Sequence, residues 1–550
     1  MAAADRRTID VLGLPGIVLM ENAGAGVVET LRRQMPDLDR HRVVVVAGLG
    51  NNGGDGFVVA RRLVQSGVAV RTFLLGEKER LRGDALTNHQ VFTNLGGRCH
   101  QVTGTGDLPA LQRALSHAGV VVDALFGTGL QREVSGLFAE VIAAINRCGK
   151  PVLAVDLPSG VSADDGRVLG VAVRADWTVT FAAEKIGHRT HPGAALCGAI
   201  TLIPIGIPES YLEIPEHRVA RNLPHDLDIP LRAPDGHKGR FGHLLILAGS
   251  RGKTGAAVLA TRGALRTGPG LVTLALPEPV LPLVAPVLVE AMTLPLAVAD
   301  ATEELRGDAV SGMVVQAGVQ PEAMAMGPGL GTGSGVWSAL HALCREFDVP
   351  TVLDADALNV LAASPEGVAS LTRGRQTPLI LTPHPGEMAR LTRSSIDDVQ
   401  RDRLGVATRW ATTWGVWIVL KGAGTVIAAP DGDAWINDTG NPGMAAGGSG
   451  DLLTGIIGGL LAQGWPVASA VRGGVWLHGA AGDAVAAGQG ATGTVASDLL
   501  PHIQRLRNEV FKDKWLKNSN YSVHGNESGS RGLATGQVQD RVLVGFGAKP

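Results

Sequence analysis

Aromatic residues are scarce in this 550-residue sequence: Phe, Trp and Tyr together make up 4% of it, whereas glycine alone occurs 75 times. With 45% hydrophobic and 18% charged residues, the composition is typical of an α/β enzyme rich in Gly, Ala and Val, and it excludes disordered and fibrous proteins. The chain is too long for a single hydrophobic core, so we expect two domains, with or without a tail.

Cysteine is rarer still, and no two cysteines form a CxxC pair. A zinc ribbon or a disulfide framework is therefore not expected, and isolated thiols fit a reducing compartment, so we predict a cytoplasmic protein. No signal peptide is expected either, because Glu21 and Asn22 interrupt the apolar stretch at residues 14–28. The four cysteines are Cys99, Cys148, Cys197 and Cys344.

Neither sign of charge dominates the sequence. The chain has 49 Lys and Arg against 51 Asp and Glu, a formal net charge of −2, and no dense basic block. Nucleic acids and membrane surfaces are therefore not expected as partners. The apolar run at residues 452–465 is too short to cross a bilayer, which needs about 20 residues, and we interpret it as a buried helix.

Valine-rich runs alternate with amphipathic stretches along most of the chain. Continuous apolar strands separated by helices are typical of parallel sheets that are covered on both faces. This alternation predicts two α/β domains, at residues 1–215 and 241–507, joined by a linker at 216–240 that is rich in Pro, His and charged residues. Residues 508–550 are polar and lack any periodicity, and we predict that they form a disordered tail.

A glycine-rich turn with polar side chains follows four consecutive valines at residues 43–46. The segment GLGNNGGDG (48–56) has the strand–turn–helix form of a nucleotide-binding unit. Its glycines allow positive φ and close backbone approach, and a helix starting near Asp55 offers free N–H groups to an anion. Asn51, Asn52 and Asp55 add oxygen ligands that a dinucleotide site does not require. The alternative is a tight turn that only packs a helix on a strand.

Two further predicted strands end in polar turns. DALFGTGL (123–130) begins with Asp123, and VDLPSG (155–160) contains Asp156 and Ser159. The carboxyl ends of strands are where open α/β sheets bind ligands. One acid at such a place is usually a solvated cap, but three polar strand ends side by side predict a pocket lined by oxygen atoms.

Together with LMENAG (19–24), these three motifs resemble the NAD(P)H-hydrate epimerase domain, also called the YjeF N-terminal domain, over about residues 1–215. The resemblance implies that this domain binds the hydrated nicotinamide dinucleotides NADHX and NADPHX. It also implies a K⁺ ion held by Asn52, Asp123 and Ser159, whose oxygens suit a hard cation. The substrate-binding residues that it implies are Asn51, Asn52, Gly53, Gly54, Asp55, Gly127, Thr128, Gly129, Leu130, Gln131, Arg132, Glu133 and Asp156.

Epimerisation at C6 of the hydrate requires either reversible loss of hydroxide to an iminium-like species or opening of the ring. A positioned carboxylate can transfer the proton and offset the cationic charge that develops on the ring. We predict that Asp156 is this catalytic carboxylate.

A second glycine-rich segment, NPGMAAGGSGDLLTGIIGGLLAQG (441–464), carries the motif of the second domain. Residues 447–450 open a predicted helix, so their N–H groups can bind an anion at its positive end, and Asp451 lies at the helix start. With KGAGTVI (421–427), this segment resembles the nucleotide site of ribokinase-like sugar and vitamin kinases, in which the corresponding Asp deprotonates the acceptor hydroxyl. The alternative is a helix N-terminus that Asp451 merely caps.

Further segments resemble one branch of that fold, the NAD(P)H-hydrate dehydratase, over about residues 236–505. They are KTGAAVLATRGALRTGPGLVT (253–273), MGPGLG (326–331), DADALN (354–359) and LTPHPGEMARL (381–391). The resemblance implies ADP or ATP, with ADP expected for the fused arrangement, and Mg²⁺. The nucleotide-binding residues that it implies are Lys421, Gly422, Ala423, Gly424, Thr425, Asn441, Gly447, Gly448, Ser449 and Gly450. The hydrate-binding residues that it implies are Gly329, His384, Pro385, Gly386, Glu387, Met388 and the catalytic Asp451.

The predicted fold class is therefore α/β, an N-terminal Rossmann-like three-layer domain followed by a ribokinase-like α/β domain. The order of the two resemblances predicts one repair enzyme, expected to be a homo-oligomer. Its first domain epimerises the R and S hydrates, and its second dehydrates the S epimer through a phosphorylated intermediate. The alternative is a kinase for a vitamin precursor or sugar, fused to a ligand-binding scaffold. His384 is a substrate contact or a structural residue, and Asp354 and Asp356 are metal-proximal groups or strand-end caps.

Overall fold

The structure is a computed structural model, which describes residues 1–212, 218–233, 235–299 and 305–510. The chain divides near residue 220 into two compact units. In the described part of the chain, no helix is both long enough and apolar enough to cross a membrane.

The first unit is built on a single parallel sheet. Its strands lie in the spatial order 3-2-1-4-5-6-7, and every pair of neighbours is parallel. The order reverses between the first and fourth strands, and this crevice is where Rossmann-like sheets bind ligands. The strands are β1 (Arg42–Ala47), β2 (Ala69–Leu75), β3 (Cys99–Val102), β4 (Val120–Ala124), β5 (Val152–Val155), β6 (Trp177–Phe181) and β7 (Ala199–Ile203).

The valine run in β1 explains why this sheet is covered on both faces. Alternate side chains of a strand point to opposite faces, and Val43 and Val45 belong to one hydrophobic cluster while Val44 and Val46 belong to another. All four are fully buried, so the predicted three-layer arrangement is confirmed. The helices of this unit are α1 (Ala2–Asp10), α2 (Gly16–Gln34), α3 (Asn51–Gln65), α4 (Gly83–Asn94), α5 (Leu108–Ser116) and α6 (Gly136–Arg147).

The second unit contains a ten-stranded sheet. Its strands are β8 (Val219–Arg221), β9 (His243–Leu247), β10 (Leu271–Pro277), β11 (Met292–Leu296), β12 (Ala323–Met326), β13 (Thr351–Leu353), β14 (Leu379–Leu381), β15 (Trp417–Leu420), β16 (Thr425–Ala428) and β17 (Ala434–Asn437). They lie in the order β11-β10-β9-β12-β13-β14-β15-β16-β17-β8. Pairing is parallel from β11 to β15 and antiparallel from β15 through β17.

Helix packing in the second unit centres on the buried run that the sequence indicated. The helix α16 (Ser449–Ala462) is buried from Leu452 to Ala462, which confirms the prediction of a buried helix there. The other helices are α7 (Thr254–Thr267), α8 (Leu281–Val284), α9 (Val310–Gln316), α10 (Ser334–Glu346), α11 (Asp356–Ala363), α12 (Ala369–Thr372), α13 (Pro385–Thr392), α14 (Ile396–Arg401), α15 (Arg403–Trp414), α17 (Val467–Gln489) and α18 (Leu499–Val510).

Two parts of the predicted organisation differ in the structure. The segment expected to be a linker, residues 216–240, contains the strand β8 and short 3-10 turns in its described part. The predicted tail, residues 508–550, begins within α18, and from residue 511 onward it lies outside the described residues. Four strands were not predicted. β3, β8 and β11 lie at sheet edges, which have one open side, and they lack a continuous buried run, whereas β17 is buried but has only four residues.

The contact between α7 and α16 requires glycine. A Cβ atom on Gly455 would clash with the carbonyl oxygen of Ala260, so the two helix backbones touch at this point. We expect Gly455→Ala to lower the free energy of unfolding by about 1–3 kcal/mol, the usual cost of overpacking. Calorimetry of the full chain would measure it. The matched control is Gly312→Ala, at an exposed helical glycine with open space around it, which should be neutral or stabilising by about 0.5–1 kcal/mol. Equal effects of the two substitutions would contradict this packing argument.

Candidate active sites

The turn after β1 is built by close packing. α3 begins at Asn51, so Asn52 and Asp55 lie at its start and not in a preceding loop. The glycines of residues 48–56 allow positive φ, but none of them has one. The predicted close approach is confirmed, because a Cβ on Gly48 would clash with the carbonyl oxygen of Leu125 and one on Gly53 with that of Gly48. The turn is thereby held between β1 and β4.

Asn52 has a buried amide without partners. Asn52 is 7% exposed, and neither its Oδ1 nor its Nδ2 has a hydrogen-bond partner among the described residues. A Cβ on Gly127 would lie 3.3 Å from Asn52 Oδ1 and 3.2 Å from Asp156 Oδ2, so both side chains lie against Gly127 near the ends of β1, β4 and β5. A buried unpaired amide is costly. Its oxygen therefore suits a bound cation or a polar group of a ligand.

Asp123 and Ser159 form a buried pair beside this point. Ser159 Oγ donates to Asp123 Oδ1 at 2.6 Å, and the Ser159 backbone N–H donates to Oδ2 at 2.8 Å. Burial raises the pKa of Asp123 to about 6 although these hydrogen bonds favour the carboxylate. The two predicted strand ends therefore come together as expected, and they present oxygen atoms.

Asp156 is held by a lysine that sequence reasoning missed. Lys185 Nζ donates to Asp156 Oδ1 at 2.6 Å and to Thr180 Oγ1 at 2.8 Å, and both members of the ion pair are buried. Burial alone would raise the pKa of Asp156, but the Lys185 ammonium outweighs it and keeps that pKa below its ordinary value. His188 Nε2 donates to the Asp156 backbone oxygen at 2.8 Å, because its Nδ1 accepts from the Lys185 N–H.

The pKa of a second carboxyl, that of Asp55, shifts in the opposite direction. Burial and the negative charges of Asp156 and Asp5 raise the pKa of Asp55 well above its ordinary value, so its protonated form is favoured. Asp5, on α1, was not predicted. The signal for Lys185 was present, since a charged residue follows the apolar strand β6 at the sheet edge that carries the acids.

Most of the remaining predicted residues of this site are more exposed to solvent than Asn52 and Asp156. Asn51 is exposed, and in the turn after β4 the chain from Thr128 to Glu133 is exposed apart from the half-buried Leu130. Of the two glycines in that turn, Gly127 lies against Asn52 and Asp156, whereas Gly129 has open space around it. The role of the exposed turn in binding substrate phosphates stays a prediction.

In the second unit, an ion pair between the half-buried Lys421 and the buried Asp354 connects the ends of β15 and β13 with α16. Lys421 Nζ donates to Asp354 Oδ1 at 2.6 Å, and Thr454 Oγ1 on α16 donates to Oδ2 at 2.7 Å. Burial opposes the charge on Lys421, but Asp354 and Glu387 outweigh it and raise the lysine pKa. A Cβ on Gly450 would lie 3.1 Å from Lys421 Nζ, so the predicted turn and the predicted lysine meet.

Asp451 faces a cavity of about 450 Å³. Burial, together with the negative charges of Asp354 and Asp356, raises the pKa of Asp451 to about 6. Asp356 accepts from Lys253 Nζ at 2.9 Å and from the Gly331 N–H at 2.8 Å. The cavity is lined by Gly252, Lys253, Gly255, Ala256, Leu259, Gly329, Asp356, Gly447, Gly448 and Asp451.

The segment after β14 positions His384 at the start of α13. The imidazole is half exposed, its Nδ1 accepts from the Gly386 N–H at 3.0 Å, and the Glu387 carboxylate accepts from the His384 N–H at 2.8 Å. Burial, followed by the charge of Lys421, lowers the His384 pKa, so the ring is neutral. Met388 is fully buried and presents no surface to a ligand, whereas Pro385 is half-buried.

The turn at residues 440–449 rests on α17. Asp483 accepts from the Gly440 N–H at 2.8 Å and from Asn441 Nδ2 at 3.0 Å. At the other end, Ser449 Oγ lies 3.2 Å from His478 Nε2. Gly448 has φ of 89°, a conformation that favours glycine, and it caps α16. Sequence reasoning missed Asp483 and His478.

Within the predicted nucleotide segment 421–425, Gly422 and Ala423 are exposed, and the segment forms the hairpin turn between β15 and β16.

Comparison with known proteins identifies the family. The sequence pattern described as YjeF-related protein N-terminus matches residues 16–187, and the one described as NAD(P)H-hydrate dehydratase matches residues 244–505. A bifunctional NAD(P)H-hydrate repair enzyme from Moorella thermoacetica is 43% identical over 518 residues, which cover 93% of this chain and 96% of that enzyme. The chain belongs to the bifunctional NAD(P)H-hydrate repair enzyme family.

Other members of the repair enzyme family match over nearly the full length. The enzymes from Thermofilum pendens and Escherichia coli are 38% and 36% identical, covering 92% and 93% of this chain and 95% and 93% of their own. A solved ADP/ATP-dependent NAD(P)H-hydrate dehydratase from Bacillus subtilis, co-crystallized with ATP/Mg²⁺, is 35% identical and covers 55% of this chain and 97% of its own, with a TM-score of 0.44. Both family resemblances drawn from the motifs are confirmed.

The Lys185–Asp156 pair generates a prediction for the first unit of this repair enzyme. Removing one partner of a buried ion pair leaves an unpaired charge, so we expect Lys185→Met to cost about 3–5 kcal/mol of stability and to raise the Asp156 pKa. Calorimetry would measure the loss. Lys78→Met, which breaks an exposed pair with Glu79, should cost less than about 1 kcal/mol. The double variant Lys185→Met/Asp156→Leu should recover most of the stability; if it is no more stable than Lys185→Met alone, the pair does not explain the loss.

Proposed function

We propose that this chain repairs hydrated NADH and NADPH in two steps. The first unit interconverts the R and S hydrates, and the second dehydrates the S epimer with ADP or ATP as phosphoryl donor, ADP being our first choice. The single observation that carries this proposal is the position of Asp451, which faces a cavity beside Gly447 and Gly448 with its pKa raised to about 6. A carboxylate so tuned suits a general base that acts near neutral pH.

For the epimerase, the residues at the ends of β1, β4 and β5 supply the chemistry. Asp156, kept ionised by Lys185, can stabilise positive charge on the nicotinamide ring after C6 loses its hydroxyl, and it can assist the proton transfers. Asn52, Asp123 and Ser159 would hold K⁺. The unpaired oxygen of Asn52 and the buried carboxylate fit such a cation, which would add a fixed positive charge to the pocket.

For the dehydratase, Asp451 would take the proton of the C6 hydroxyl as that oxygen attacks the terminal phosphorus of the nucleotide. The bond from phosphorus to the nucleotide breaks, and AMP leaves when ADP is the donor. The phosphate ester then leaves C6 with its electron pair, C5 loses a proton, and the ring double bond is restored. The N–H groups at the start of α16 and Lys421 are placed to offset phosphoryl charge.

Mg²⁺ is expected with the nucleotide. The described residues contain no group of three or more His, Cys, Asp or Glu side chains that could hold a metal. Mg²⁺ bound to a nucleotide usually needs only one or two carboxylates besides the phosphates, and Asp356 at the cavity fits that demand. The ion would neutralise phosphate charge. The homo-oligomeric state and the cytoplasmic location stay predictions; the four cysteines are free thiols, as that location requires.

A direct assay separates repair from the kinase alternative. Purified protein is incubated with mixed R and S hydrates of NADH, with ADP, ATP or neither, in the presence of Mg²⁺ and K⁺. We expect absorbance of the reduced ring to rise with nucleotide until both epimers are consumed, and phosphate to be released. Without nucleotide, only exchange between the epimers should accelerate. A stable phosphorylated product without a rise in absorbance would support a kinase and overturn the proposal.

Asp451 should give the dehydratase an acidic limb in its pH profile. A base must be deprotonated to act, so kcat/KM should fall as pH drops through about 6 and be roughly tenfold below its plateau at pH 5. Asp451→Asn should lower kcat by about 10²–10⁴-fold at every pH. Asp397→Asn, an exposed carboxyl on α14, serves as control and should keep both rate and profile. Dehydration at the full rate by Asp451→Asn would remove Asp451 from the chemistry.

A further inference from the structure

The helix α17 holds both ends of the 440–449 turn. Asp483 binds the first end through the N–H of Gly440 and the amide of Asn441. His478, five positions earlier on the same helix, lies 3.2 Å from the hydroxyl of Ser449 at the second end. Between them the turn packs against glycine, because a Cβ on Gly482 would clash with Met444. The start of α16 is thus fixed from a neighbouring helix and not only by its own backbone.

Ser449 occupies a position where its hydroxyl matters. It is the first residue of α16, and its neighbours Gly447, Gly448 and Asp451 line the cavity. Backbone N–H groups at such a helix start are free to bind an anion. A hydroxyl there can add one more donor, but only if its single proton is directed at the anion and not at a protein acceptor.

The partner of Ser449 decides where that proton points. A neutral imidazole has one nitrogen that donates and one that accepts. If His478 Nε2 accepts from Ser449, the hydroxyl proton is used and only oxygen lone pairs remain for a ligand. If Nε2 donates, the lone pair is used and the proton is free for a ligand. A phosphate oxygen accepts hydrogen bonds, so a bound nucleotide selects the second arrangement.

His478 can fill this role because it carries no charge at neutral pH. Burial lowers the pKa of His478 to about 4, a hydrogen bond with the Ser449 backbone partly opposes this shift, and the positive charge of Lys421 adds to it. The ring therefore acts as a neutral hydrogen-bonding group whose donor nitrogen can be fixed by its surroundings. Asp483 cannot substitute for it, since a carboxylate only accepts.

We propose that His478 is a positioning residue that donates from Nε2 to the oxygen of Ser449, so that the Ser449 hydroxyl proton binds a phosphate oxygen of the nucleotide. This inference rests on the proposed nucleotide-dependent dehydratase activity and deepens it. It assigns to the side chains of Ser449 and His478 a share of nucleotide affinity beyond that of the backbone N–H groups. Neither side chain takes part in the proton transfer assigned to Asp451.

A double-mutant cycle tests the proposal in the full-length protein. Steady-state dehydration of the S hydrate is measured against ADP concentration for the wild type, Ser449→Ala, His478→Leu and the double variant. One lost hydrogen bond to a charged group corresponds to a factor of about 10, so each single variant should raise KM for ADP about tenfold, with kcat and KM for the hydrate within about twofold. The double variant should be no worse than Ser449→Ala, because His478 acts only through that hydroxyl.

Two further variants separate positioning from structural damage. His478→Gln retains an amide N–H donor near the position of Nε2 and should keep KM for ADP within about threefold of the wild type. Asp483→Asn weakens the other end of the turn, and its effect on KM should add to that of Ser449→Ala because it does not act through the hydroxyl. If His478→Leu does not fold, Ser449→Ala and His478→Gln still decide the matter.

The outcomes that overturn the proposal are specific. An unchanged KM for ADP in Ser449→Ala excludes a phosphate contact of the hydroxyl. Additive effects of Ser449→Ala and His478→Leu exclude action through that hydroxyl. Calorimetric titration with ADP and Mg²⁺ applies the same cycle to binding alone. If the wild type binds ADP without dehydrating the hydrate, the proposed function is contradicted. The double-mutant cycle on ADP binding then still tests the roles of Ser449 and His478.

Discussion

At the strand ends of both units, two backbone segments lie in direct contact. Glycine is required at these points because a Cβ atom would clash with the opposite carbonyl group. In the first unit Gly48 and Gly53 bring the turn after β1 against the end of β4, and in the second a Cβ on Gly327 would clash with the carbonyl of Asp354. These contacts set the positions of the polar side chains that follow each strand. Asn52 and Asp156 both lie against Gly127, and Lys421, the partner of Asp354, lies against Gly450.

The two sites share one electrostatic arrangement on different folds. In each, a lysine donates to an aspartate at 2.6 Å: the buried Lys185 to Asp156, and the half-buried Lys421 to Asp354. A further carboxyl nearby then has a raised pKa, Asp55 in the first unit and Asp451 in the second. The lysine compensates one negative charge and leaves the other carboxyl with a pKa above its ordinary value. An aspartate paired with lysine and a carboxyl that is protonated more readily thus coexist within each site.

Sequence reasoning recovered what is encoded locally and missed what depends on distant chain segments. The valine run of β1, the buried helix α16 and the polar strand ends followed from periodicity and from the general rule for open sheets. Lys185, Asp483 and His478 did not, because their partners Asp156, Gly440 and Ser449 lie 29, 43 and 29 positions away. No short-range pattern identifies such partners, and for Lys185 the sequence shows only that a charged residue follows β6. The glycines of the first turn are required for close packing against neighbouring segments, and not for positive φ.

The three-residue strand β8 has a consequence for the solubility of the second unit. It pairs with β17, whose four residues are all buried and include Trp435 and Ile436. Without β8, β17 would present an apolar open edge, which is a template for pairing with strands of other molecules and hence for aggregation. A three-residue strand offers little edge of its own. β8, in the short segment that connects the two units in sequence, therefore also covers the edge of β17 and limits its pairing with strands of other molecules.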